Sequence, residues 1–593
     1  MDGLTRLVNG SRAMAEAVKL ARVDCVSAFP ITPQTIIVET LSEMQSNGEF
    51  KGEFINVESE HSAPSVLIGA SLKGYRTFTA SASQGIMLMS EVLYNVAGMR
   101  IPIVMGVSNR SVSAPINIHN DQQDSISQRD SGWIQLYVPN NQAALDYTLF
   151  AFKIAEEARV PCMVCMDGFT LSHLIEPVTF PTQEQVDHFL PGFKPENTLD
   201  PADPKTFGFA MLQEHYMTTR RQLHMALKDS EAIICRTARR WENIFNRKSP
   251  CLFDTHKTEK ADIILVSMGS VGELVREVIE GYKGSIPIGH LDLHAYRPFP
   301  SAELRNRLED AKVIGVIDRD ISLGHFGALF TDLSAIMDAQ HMQNYIVGLG
   351  GKNVGPQQIE YIINDLARHL SVQGNARPRT DNSPKFVDYE SPIEDEYLQQ
   401  FDDINKNRRN IILHGRGGQG AYTGANLLAY VLFESGRSVH AFPTFGPERE
   451  GAPMKAYTGM NDTAEVIGDR SQKEEPNMVI VLDPSLLKSV DVTRGLRPDG
   501  FVLVNYNGPP SDLRLGNGAK VYAIDAFAIS QQHLGEPRPN TPLVGAAARL
   551  LGIERDCLER ALSAHMEKKK EQNIRAALQA YDTVLRGQAG GQA

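Results

Sequence analysis

Cysteine is scarce in this sequence, with six residues among 593: Cys25, Cys162, Cys165, Cys235, Cys251 and Cys557. Only Cys162 and Cys165 have the spacing of metal ligands, and they stand in the apolar, strand-like segment VPCMVCMDG. A single C-x-x-C without a second pair is weak evidence for zinc or an iron–sulfur cluster. We therefore predict two buried thiols there and no metal centre in this chain.

Long apolar runs and an excess of positive charge are missing as well. No stretch reaches about 18 uninterrupted apolar residues, the length of a membrane span, so we expect none. The net charge of -12 argues against nonspecific binding to nucleic acid or acidic lipid. The first residues, MDGLTRLVNGSRAMAEA, lack the pattern of a cleavable secretory signal, and the default expectation is a cytoplasmic protein.

The pattern that is present is an alternation of apolar strand-like runs with helical stretches. RTFTASA is followed by GIMLMSEVLYNVAGM, and ADIILVSMGS is followed by VGELVREVIEGY. This alternation is typical of parallel α/β domains, whose functional loops lie at the carboxyl ends of the strands. A chain of 593 residues is too long for one hydrophobic core, so we predict three α/β domains.

The domain boundaries follow from breaks in this alternation. We place the first domain at residues 1–255 and the second at residues 256–375. Residues 376–408 are polar, contain prolines and have no sustained apolar period, and we interpret them as an interdomain linker. The third domain, residues 409–593, begins with NIILHGRGGQG and ends in a charged helix from about Glu554.

The segment AFPITPQT, residues 28–35, is the first candidate for a site. A strand is predicted to end at Phe29, and Pro30 and Pro33 then restrict the backbone around Thr32. This arrangement would project the Thr32 hydroxyl from the carboxyl edge of a sheet, where α/β proteins bind ligands. An ordinary helix entry, with Thr32 or Thr35 as the cap, is an equal alternative.

Two charged side chains form the next candidates. Glu60, in NVESEHSAPSVLIGASLKG, stands where apolar packing begins, which makes it a candidate for a buried carboxylate that can hold or share a proton. The alternative for Glu58 and Glu60 is a solvated first turn favoured by the helix dipole. Arg110 directly follows an apolar strand, and its guanidinium could bind a small carboxylate through two parallel hydrogen bonds. A surface salt bridge is the alternative for Arg110.

The loop behind Arg110 is dense in hydrogen-bonding side chains. Long loops in compact domains are often functional, which makes this one a further candidate. Its polar residues are Asn117, His119, Asn120, Asp121 and Asp124.

A glycine-rich loop opens the third domain. Gly415, Gly417 and Gly420 fit the dinucleotide fingerprint G-x-G-x-x-G. A NAD site also needs an acidic residue about 20 positions further on, and this chain has no carboxylate at the end of its second strand before Glu448. Free backbone N–H groups at a helix start still favour phosphate, and Arg416 adds a cation. Glycines needed only for a tight turn remain the alternative.

Taken together, these segments resemble the thiamine diphosphate-dependent 2-oxoacid:ferredoxin oxidoreductases. FPITPQT, ESEHSA, TASASQG, NRSVSAPINIHNDQQD and QRDSGWIQ are similar, in the same order, to signature segments of the α component. VIDRDISLGHFGAL resembles its second domain, which is similar to the C-terminal domain of transketolases. GRGGQG, FPTFGPEREGAP and VIVLDPSLL resemble the γ component. The resemblance covers nearly the whole chain and implies an α–γ fusion.

The resemblance implies a role for each domain and for individual residues. Residues 1–255 would form the pyrimidine-binding domain for thiamine diphosphate, residues 256–375 the transketolase C-terminal-like domain, and residues 409–593 a Rossmann-like γ domain. Glu60 matches the glutamate that bonds N1′ of the aminopyrimidine and so promotes proton removal from the thiazolium C2. Thr32 matches the threonine near the cofactor and the 2-oxo group, and Arg110 the arginine that holds the substrate carboxylate.

Further cofactor contacts follow from the same resemblance. Pro30, Ser83 and Gln84 would join Glu60 at thiamine diphosphate. In the γ domain the loop would hold the phosphates of coenzyme A rather than NAD, through Gly415, Arg416, Gly417, Gly418, Gln419 and Gly420.

Other parts of a complete enzyme are absent from the sequence. There is no G-D-G motif followed by an asparagine for the diphosphate and Mg²⁺, and no ferredoxin-like cysteine cluster. The family carries these features in a β subunit, and often in a ferredoxin-like δ subunit. We therefore expect half of an active site, with Mg²⁺ and [4Fe-4S] clusters in partner subunits and ferredoxin or another acceptor receiving the electrons.

The implied reaction is the coenzyme A-dependent oxidative decarboxylation of a 2-oxoacid to acyl-CoA and CO2. The SAPINIHNDQQDS loop resembles the pyruvate-type branch of the family more than the 2-oxoglutarate-type branch. The γ-like segment stands last here, whereas 2-oxoglutarate-type fusions usually place it first, so the resemblance implies pyruvate as substrate. An aromatic or branched 2-oxoacid, such as phenylglyoxylate or 2-oxoisovalerate, is the main alternative, and oxalate fits less well. A nonoxidative thiamine enzyme and a noncatalytic scaffold subunit are the alternatives from other classes.

Overall fold

The chain is described here by a computed structural model. It covers residues 4–373, 383–388, 401, 408–444, 451–462, 467–472, 475–513, 515–516, 519–566 and 568–584. The chain divides into two compact units, one of residues 1–173 and 178–402 and the other of residues 174–177 and 403–593. Both units are mixed α/β, which confirms the predicted fold class.

The first unit contains a seven-stranded sheet in which all but one edge strand run parallel. In spatial order its strands are Ala295–Arg297, Ile134–Tyr137, Cys162–Asp167, Val104–Asn109, Thr77–Ser81, Cys25–Ala28 and Glu53–Asn56. The accompanying helices are Gly10–Leu20, Thr35–Ser46, Ser62–Leu72, Ser83–Gly98, Gln123–Ile126, Asn141–Ala158, Gln183–Phe189 and Gln213–Phe245. The strand Thr5–Asn9 also belongs to the first unit, whereas the strand Ile175–Thr179 begins in residues 174–177, which belong to the second unit.

Helices cover both faces of this sheet, and the central strands are therefore buried on both faces. Val104–Asn109 and Cys162–Asp167 are buried along their whole length, as expected for parallel strands in a doubly covered sheet. Cys162 and Cys165 are both buried in the latter strand, and burial raises the pKa of each thiol. These thiols are therefore packing residues of the core.

A six-stranded sheet forms the other half of the first unit. Its strands, in spatial order, are Lys385–Val387, Met342–Val347, Val313–Asp318, Ile263–Met268, Ile288–Leu293 and Phe253–His256. Its helices are Val271–Gly281, Ser301–Leu308, Ala328–Ser334 and Pro356–Gln373, with short 3-10 turns at Ala339–His341 and Leu349–Gly351.

The predicted linker, residues 376–408, contains regular structure. Lys385–Val387 pairs in parallel with Met342–Val347 and forms the edge of the six-stranded sheet. Phe401 makes a β-bridge and a ring contact with Tyr282. A three-residue edge strand is too short to show an apolar period, so the sequence pattern could not reveal it. Most of the other linker residues lie outside the described part.

The second unit is built on a sheet in which the strand Pro453–Asn461 runs antiparallel to both of its neighbours, and the strands from Arg408–Arg416 to Lys520–Ile524 run parallel. In spatial order these strands are Ser438–Pro443, Pro453–Asn461, Arg408–Arg416, Met478–Val481, Phe501–Asn505 and Lys520–Ile524. Within the same unit Ile175 pairs with Ala441. Its helices are Ala421–Glu434, Ala526–Leu534, Asn540–Leu550, Arg555–His565 and Lys570–Thr583, with 3-10 turns at Pro484–Lys488 and Pro510–Asp512.

Among the described residues, no helix is both long enough and apolar enough to cross a bilayer.

Candidate functional site

Four neighbouring strands of the seven-stranded sheet place the site residues predicted for the first domain at one edge of that sheet. The strands Glu53–Asn56, Cys25–Ala28, Thr77–Ser81 and Val104–Asn109 are adjacent and parallel. Their carboxyl ends lead directly into the segments that carry Glu60, Thr32, Ser83 and Arg110. The sheet order thus gathers residues that are up to 78 positions apart in the chain.

Glu60 is buried against the first turn of the helix Ser83–Gly98. It is 9% exposed, whereas Glu58 two residues earlier is exposed. A Cβ added to Gly85 would lie 2.9 Å from Glu60 Cγ and 3.0 Å from Glu60 Oε1. The glycine therefore makes room for this carboxylate. The solvated-glutamate alternative is correct for Glu58 and wrong for Glu60.

Ser83 and Gln84 lie at the start of the same helix. The Ser83 hydroxyl is 2.5 Å from the Ser111 carbonyl oxygen and 2.5 Å from Gln84 Oε1. The Ser83 backbone has φ of 47°, in the left-handed region that non-glycine residues seldom adopt. In the part of the chain that the structure describes, buried Gln84 Nε2 has no hydrogen-bond partner. An amide donor without a partner at a helix start suits an acceptor on a ligand.

Arg110 and Thr32 are joined by a direct hydrogen bond. Arg110 is 7% exposed, and its Nη1 donates to the Thr32 carbonyl oxygen at 2.9 Å. Its Nε donates to the Asn117 carbonyl oxygen at 2.9 Å. Burial lowers the pKa of Arg110. The salt-bridge alternative for Arg110 is wrong, because this guanidinium is buried and directed at backbone carbonyls.

The segment that carries Thr32 is anchored to the sheet without using its hydroxyl. Gln34 Nε2 donates to the Ala80 carbonyl oxygen at 2.8 Å, and Ile31 N donates to Gln34 Oε1. The helix that follows has Gln34 at its N-cap and no side-chain cap bond, so the threonine-cap alternative is wrong. Thr32 and Pro30 are both exposed at the sheet edge.

Asp124 connects the segment that carries Ser83 with the segment that carries Arg110. Its Oδ2 accepts from the backbone N–H groups of Ser83 at 2.8 Å and Arg110 at 3.0 Å. Its Oδ1 accepts from Asn109 Nδ2 at 2.7 Å. Burial raises the pKa of Asp124 to about 7, although these hydrogen bonds act in the opposite direction.

The polar loop is also fastened to the second half of the first unit. Asn117 Nδ2 donates to the Gly350 carbonyl oxygen at 2.9 Å, and Gly350 N donates to Asp121 Oδ2 at 3.3 Å. Gln122 N donates to the Arg319 carbonyl oxygen at 2.9 Å. These bonds hold the loop in a single arrangement behind Arg110.

The glycine-rich loop of the second unit lies between the strand Arg408–Arg416 and the helix Ala421–Glu434. Gly418 and Gly420 have φ of 90° and 81°, and Gly420 is the N-cap residue. A side chain at Gly420 would be strained and would meet Asn540 Nδ2 at 2.9 Å. The first N–H groups of the helix have no partner within it, so the loop offers donors for an anion.

Arg416 is not a free cation beside this loop. Its Nε lies 3.2 Å from Asp483 Oδ2, and its Nη2 donates to Ser485 Oγ at 2.9 Å. Gln419 Nε2 also donates to Asp483 Oδ2, at 2.8 Å. Burial alone would raise the pKa of Asp483, but the hydrogen bonds from Gln419 and Ser485 and the charge of Arg416 lower it. A bound phosphate would compete with Asp483 for the guanidinium.

Three residues of these sites were not identified from the sequence alone. Gly85 stands in the quoted motif TASASQG, Asp124 was named only as one of several loop polar residues, and Asp483 lies in VIVLDPSLL. A glycine directly after two candidate ligands was an available signal for Gly85. The segment FPTFGPEREGAP falls partly outside the described residues.

Three family models match successive parts of the chain. The model described as "Pyruvate flavodoxin/ferredoxin oxidoreductase, thiamine diP-bdg" matches residues 16–238. "Pyruvate:ferredoxin oxidoreductase core domain II" matches residues 261–359. "Pyruvate ferredoxin/flavodoxin oxidoreductase" matches residues 410–583.

Two relatives and one solved structure are similar to parts of the chain. The chain is 47% identical over 369 residues to pyruvate synthase subunit PorA of Methanocaldococcus jannaschii, covering 61% of this chain and 95% of the relative. It is 40% identical over 375 residues to ketoisovalerate oxidoreductase subunit VorA of Pyrococcus abyssi, covering 62% of this chain and 94% of the relative. The crystal structure of pyruvate oxidoreductase subunit PORC from Thermotoga maritima shares 34% identity, covering 30% of this chain and 97% of that one, with a TM-score of 0.27.

Proposed function

This chain belongs to the thiamine diphosphate-dependent 2-oxoacid:ferredoxin oxidoreductase family, and we propose that it provides the α and γ parts of a pyruvate-oxidising enzyme. The reaction is the coenzyme A-dependent oxidative decarboxylation of pyruvate to acetyl-CoA and CO2. The observation that carries the proposal is the burial of Glu60 against Gly85, at the sheet edge where Asp124 joins Ser83 to Arg110 through hydrogen bonds.

The residues at this edge suit thiamine diphosphate. Glu60 is a buried carboxylate for which Gly85 leaves space, and Gln84 Nε2 is a buried donor without a protein partner among the described residues. When bound, thiamine diphosphate supplies the carbon nucleophile for the 2-oxo group and takes up the electron pair released with CO2. Glu60 would hold a proton at the aminopyrimidine N1′, a role that needs a carboxyl group shielded from water.

Arg110 and Thr32 would orient the 2-oxoacid. The arginine is held by the Asn117 and Thr32 carbonyls through Nε and Nη1, so its remaining N–H donors can bind the substrate carboxylate. The exposed Thr32 side chain stands at the same edge and would donate to the 2-oxo oxygen. These hydrogen bonds fix the guanidinium before the substrate arrives, which lowers the entropic cost of binding.

The γ-type unit would hold coenzyme A. The N-terminus of the helix Ala421–Glu434 and the left-handed Gly418 and Gly420 favour a phosphate ligand. Because Asp483 neutralises Arg416, the backbone N–H groups would contribute more to phosphate binding than the predicted cation. Gly415, Gly417 and Gln419 would shape the loop around these donors.

Partner subunits would complete the enzyme. We propose a β subunit carrying the diphosphate–Mg²⁺ motif and an iron–sulfur cluster, and a ferredoxin-like δ subunit, with ferredoxin as acceptor. The absence of a G-D-G motif from the sequence supports this division. We also propose that the protein is cytoplasmic.

A branched substrate is the second candidate. The 40% identity to a ketoisovalerate oxidoreductase subunit supports 2-oxoisovalerate, whereas identities of 43–47% to pyruvate synthase subunits favour pyruvate. Phenylglyoxylate remains the aromatic alternative.

The decisive experiment uses the complex purified with its partner subunits. Coenzyme A-dependent reduction of a viologen dye is measured with pyruvate, 2-oxoisovalerate, phenylglyoxylate and 2-oxoglutarate. We expect the highest kcat/KM with pyruvate. No turnover with any 2-oxoacid, in a complex that contains thiamine diphosphate and intact clusters, would refute the proposed function.

A further inference from the structure

The Asp124 carboxylate receives four hydrogen bonds, two on each oxygen. Oδ1 accepts from Asn109 Nδ2 and Ser125 N, both at 2.7 Å. Oδ2 accepts from Ser83 N at 2.8 Å and Arg110 N at 3.0 Å. Asp124 is fully buried, so water does not substitute for these donors.

These donors come from three different segments. Ser83 begins the helix that packs on Glu60, Arg110 follows the strand Val104–Asn109, and Ser125 lies in the short helix Gln123–Ile126. The two N–H groups on Oδ2 belong to segments on opposite sides of the proposed reaction, because one faces the cofactor and the other the substrate. A single oxygen atom therefore sets their separation.

We propose that Asp124 is a positioning residue that aligns the cofactor-binding helix with the substrate-binding arginine. The inference rests on the proposed function for the roles of Ser83 and Arg110. The ionised carboxylate offers acceptors to all four N–H groups, and each oxygen keeps its own pair. A proton on either oxygen would displace one of these donors and loosen the alignment.

The surroundings of Asp124 make this alignment sensitive to pH. Arg110 from the strand end favours the ionised form, and Asp121 from the same loop disfavours it. Tyr137 and Cys165 face it from the sheet. Burial is the main influence and raises the pKa of Asp124 to about 7. The aligned, ionised form is therefore expected above pH 7 and is lost as the pH falls below it.

The test compares Asp124→Asn with Asp146→Asn in the purified complex. Asp146 is also buried, with a pKa raised to about 7, but its carboxylate accepts from Arg247 and Gln142 rather than from Ser83 and Arg110. An amide at position 124 keeps one acceptor oxygen and turns an NH2 group toward the other donor pair. We expect kcat/KM to fall by about 10- to 100-fold for Asp124→Asn, with a smaller effect of Asp146→Asn.

Two further measurements separate positioning from general destabilisation. The acid limb of the kcat/KM profile near pH 7 should disappear in Asp124→Asn and persist in Asp146→Asn. Amide hydrogen exchange at Ser83 and Arg110 should accelerate at least 10-fold in Asp124→Asn, with or without turnover.

The outcomes distinguish this inference from the proposed function. A wild-type complex without 2-oxoacid activity would refute the proposed function. Amide hydrogen exchange at Ser83 and Arg110 does not need turnover, so it would still test the role of Asp124. Unchanged exchange and an unchanged pH profile in Asp124→Asn would overturn the inference. If that variant does not assemble, the wild-type exchange rates decide, because protection of both amides, corrected for intrinsic rates, must fall below pH 7.

Discussion

Gly85→Ala should disable thiamine diphosphate binding through a single methyl group. The new Cβ would clash with Ser81 Oγ, and it would lie 2.9 Å from Glu60 Cγ and 3.0 Å from Glu60 Oε1. Both neighbours must yield: the Ser81 hydroxyl by rotating and the Glu60 carboxylate by shifting, and the shift of Glu60 is the one that would affect the cofactor. Overpacking of this kind costs about 1–3 kcal/mol, against a helix-propensity gain of up to about 1 kcal/mol.

A displacement of about 1 Å at a catalytic group can lower the rate by about 100-fold. We therefore expect a modest fall in thermal stability and a large loss of kcat/KM and of thiamine diphosphate affinity. Affinity is measured by fluorescence quenching in the cofactor-depleted complex, and stability by thermal unfolding. Gly98→Ala, at the other end of the same helix, is the control because an added Cβ there meets no atom within 4 Å.

Wild-type affinity and turnover in Gly85→Ala would refute the reasoning, since Glu60 would then not depend on the space left by the glycine. Equal losses in Gly85→Ala and Gly98→Ala would also contradict it, because the effect would then come from the helix rather than from the carboxylate.

Three other substitutions test the remaining parts of the site. Glu60→Gln should lower kcat by at least about 100-fold while the complex assembles normally by size-exclusion chromatography, because an amide cannot hold the N1′ proton as a carboxyl group does. Arg110→Ala should mainly raise the KM for pyruvate, since a bidentate carboxylate contact is lost; an unchanged KM in steady-state kinetics would contradict that role. Asp483→Asn should lower the KM for coenzyme A, because Arg416 would be released from its ion pair, whereas a higher KM would show that Asp483 supports the loop.

The order of motifs was sufficient to identify the family and the α/β class. ESEHSA, TASASQG and NRSVSAPINIHNDQQD each lie at or just after the carboxyl end of a strand, and the periodicity of those strands is visible in the sequence. Parallel strands present their carboxyl ends at one edge, so Glu60, Thr32 and Arg110 could be predicted as neighbours. Their individual roles remain predictions.

Only the tertiary structure decided which side chains are buried and what they contact. Glu58 and Glu60 are chemically equivalent in the sequence, yet packing on Gly85 buries one of them. The sequence predicts a free cation at Arg416, but in the fold the strand Met478–Val481 leads to Asp483, which lies beside the guanidinium. Asp124 stood among several polar loop residues, and its four donors come from segments up to 41 positions away. Local sequence determines periodicity and turn chemistry, but burial and hydrogen-bond partners depend on contacts between distant segments, and these exist only in the folded chain.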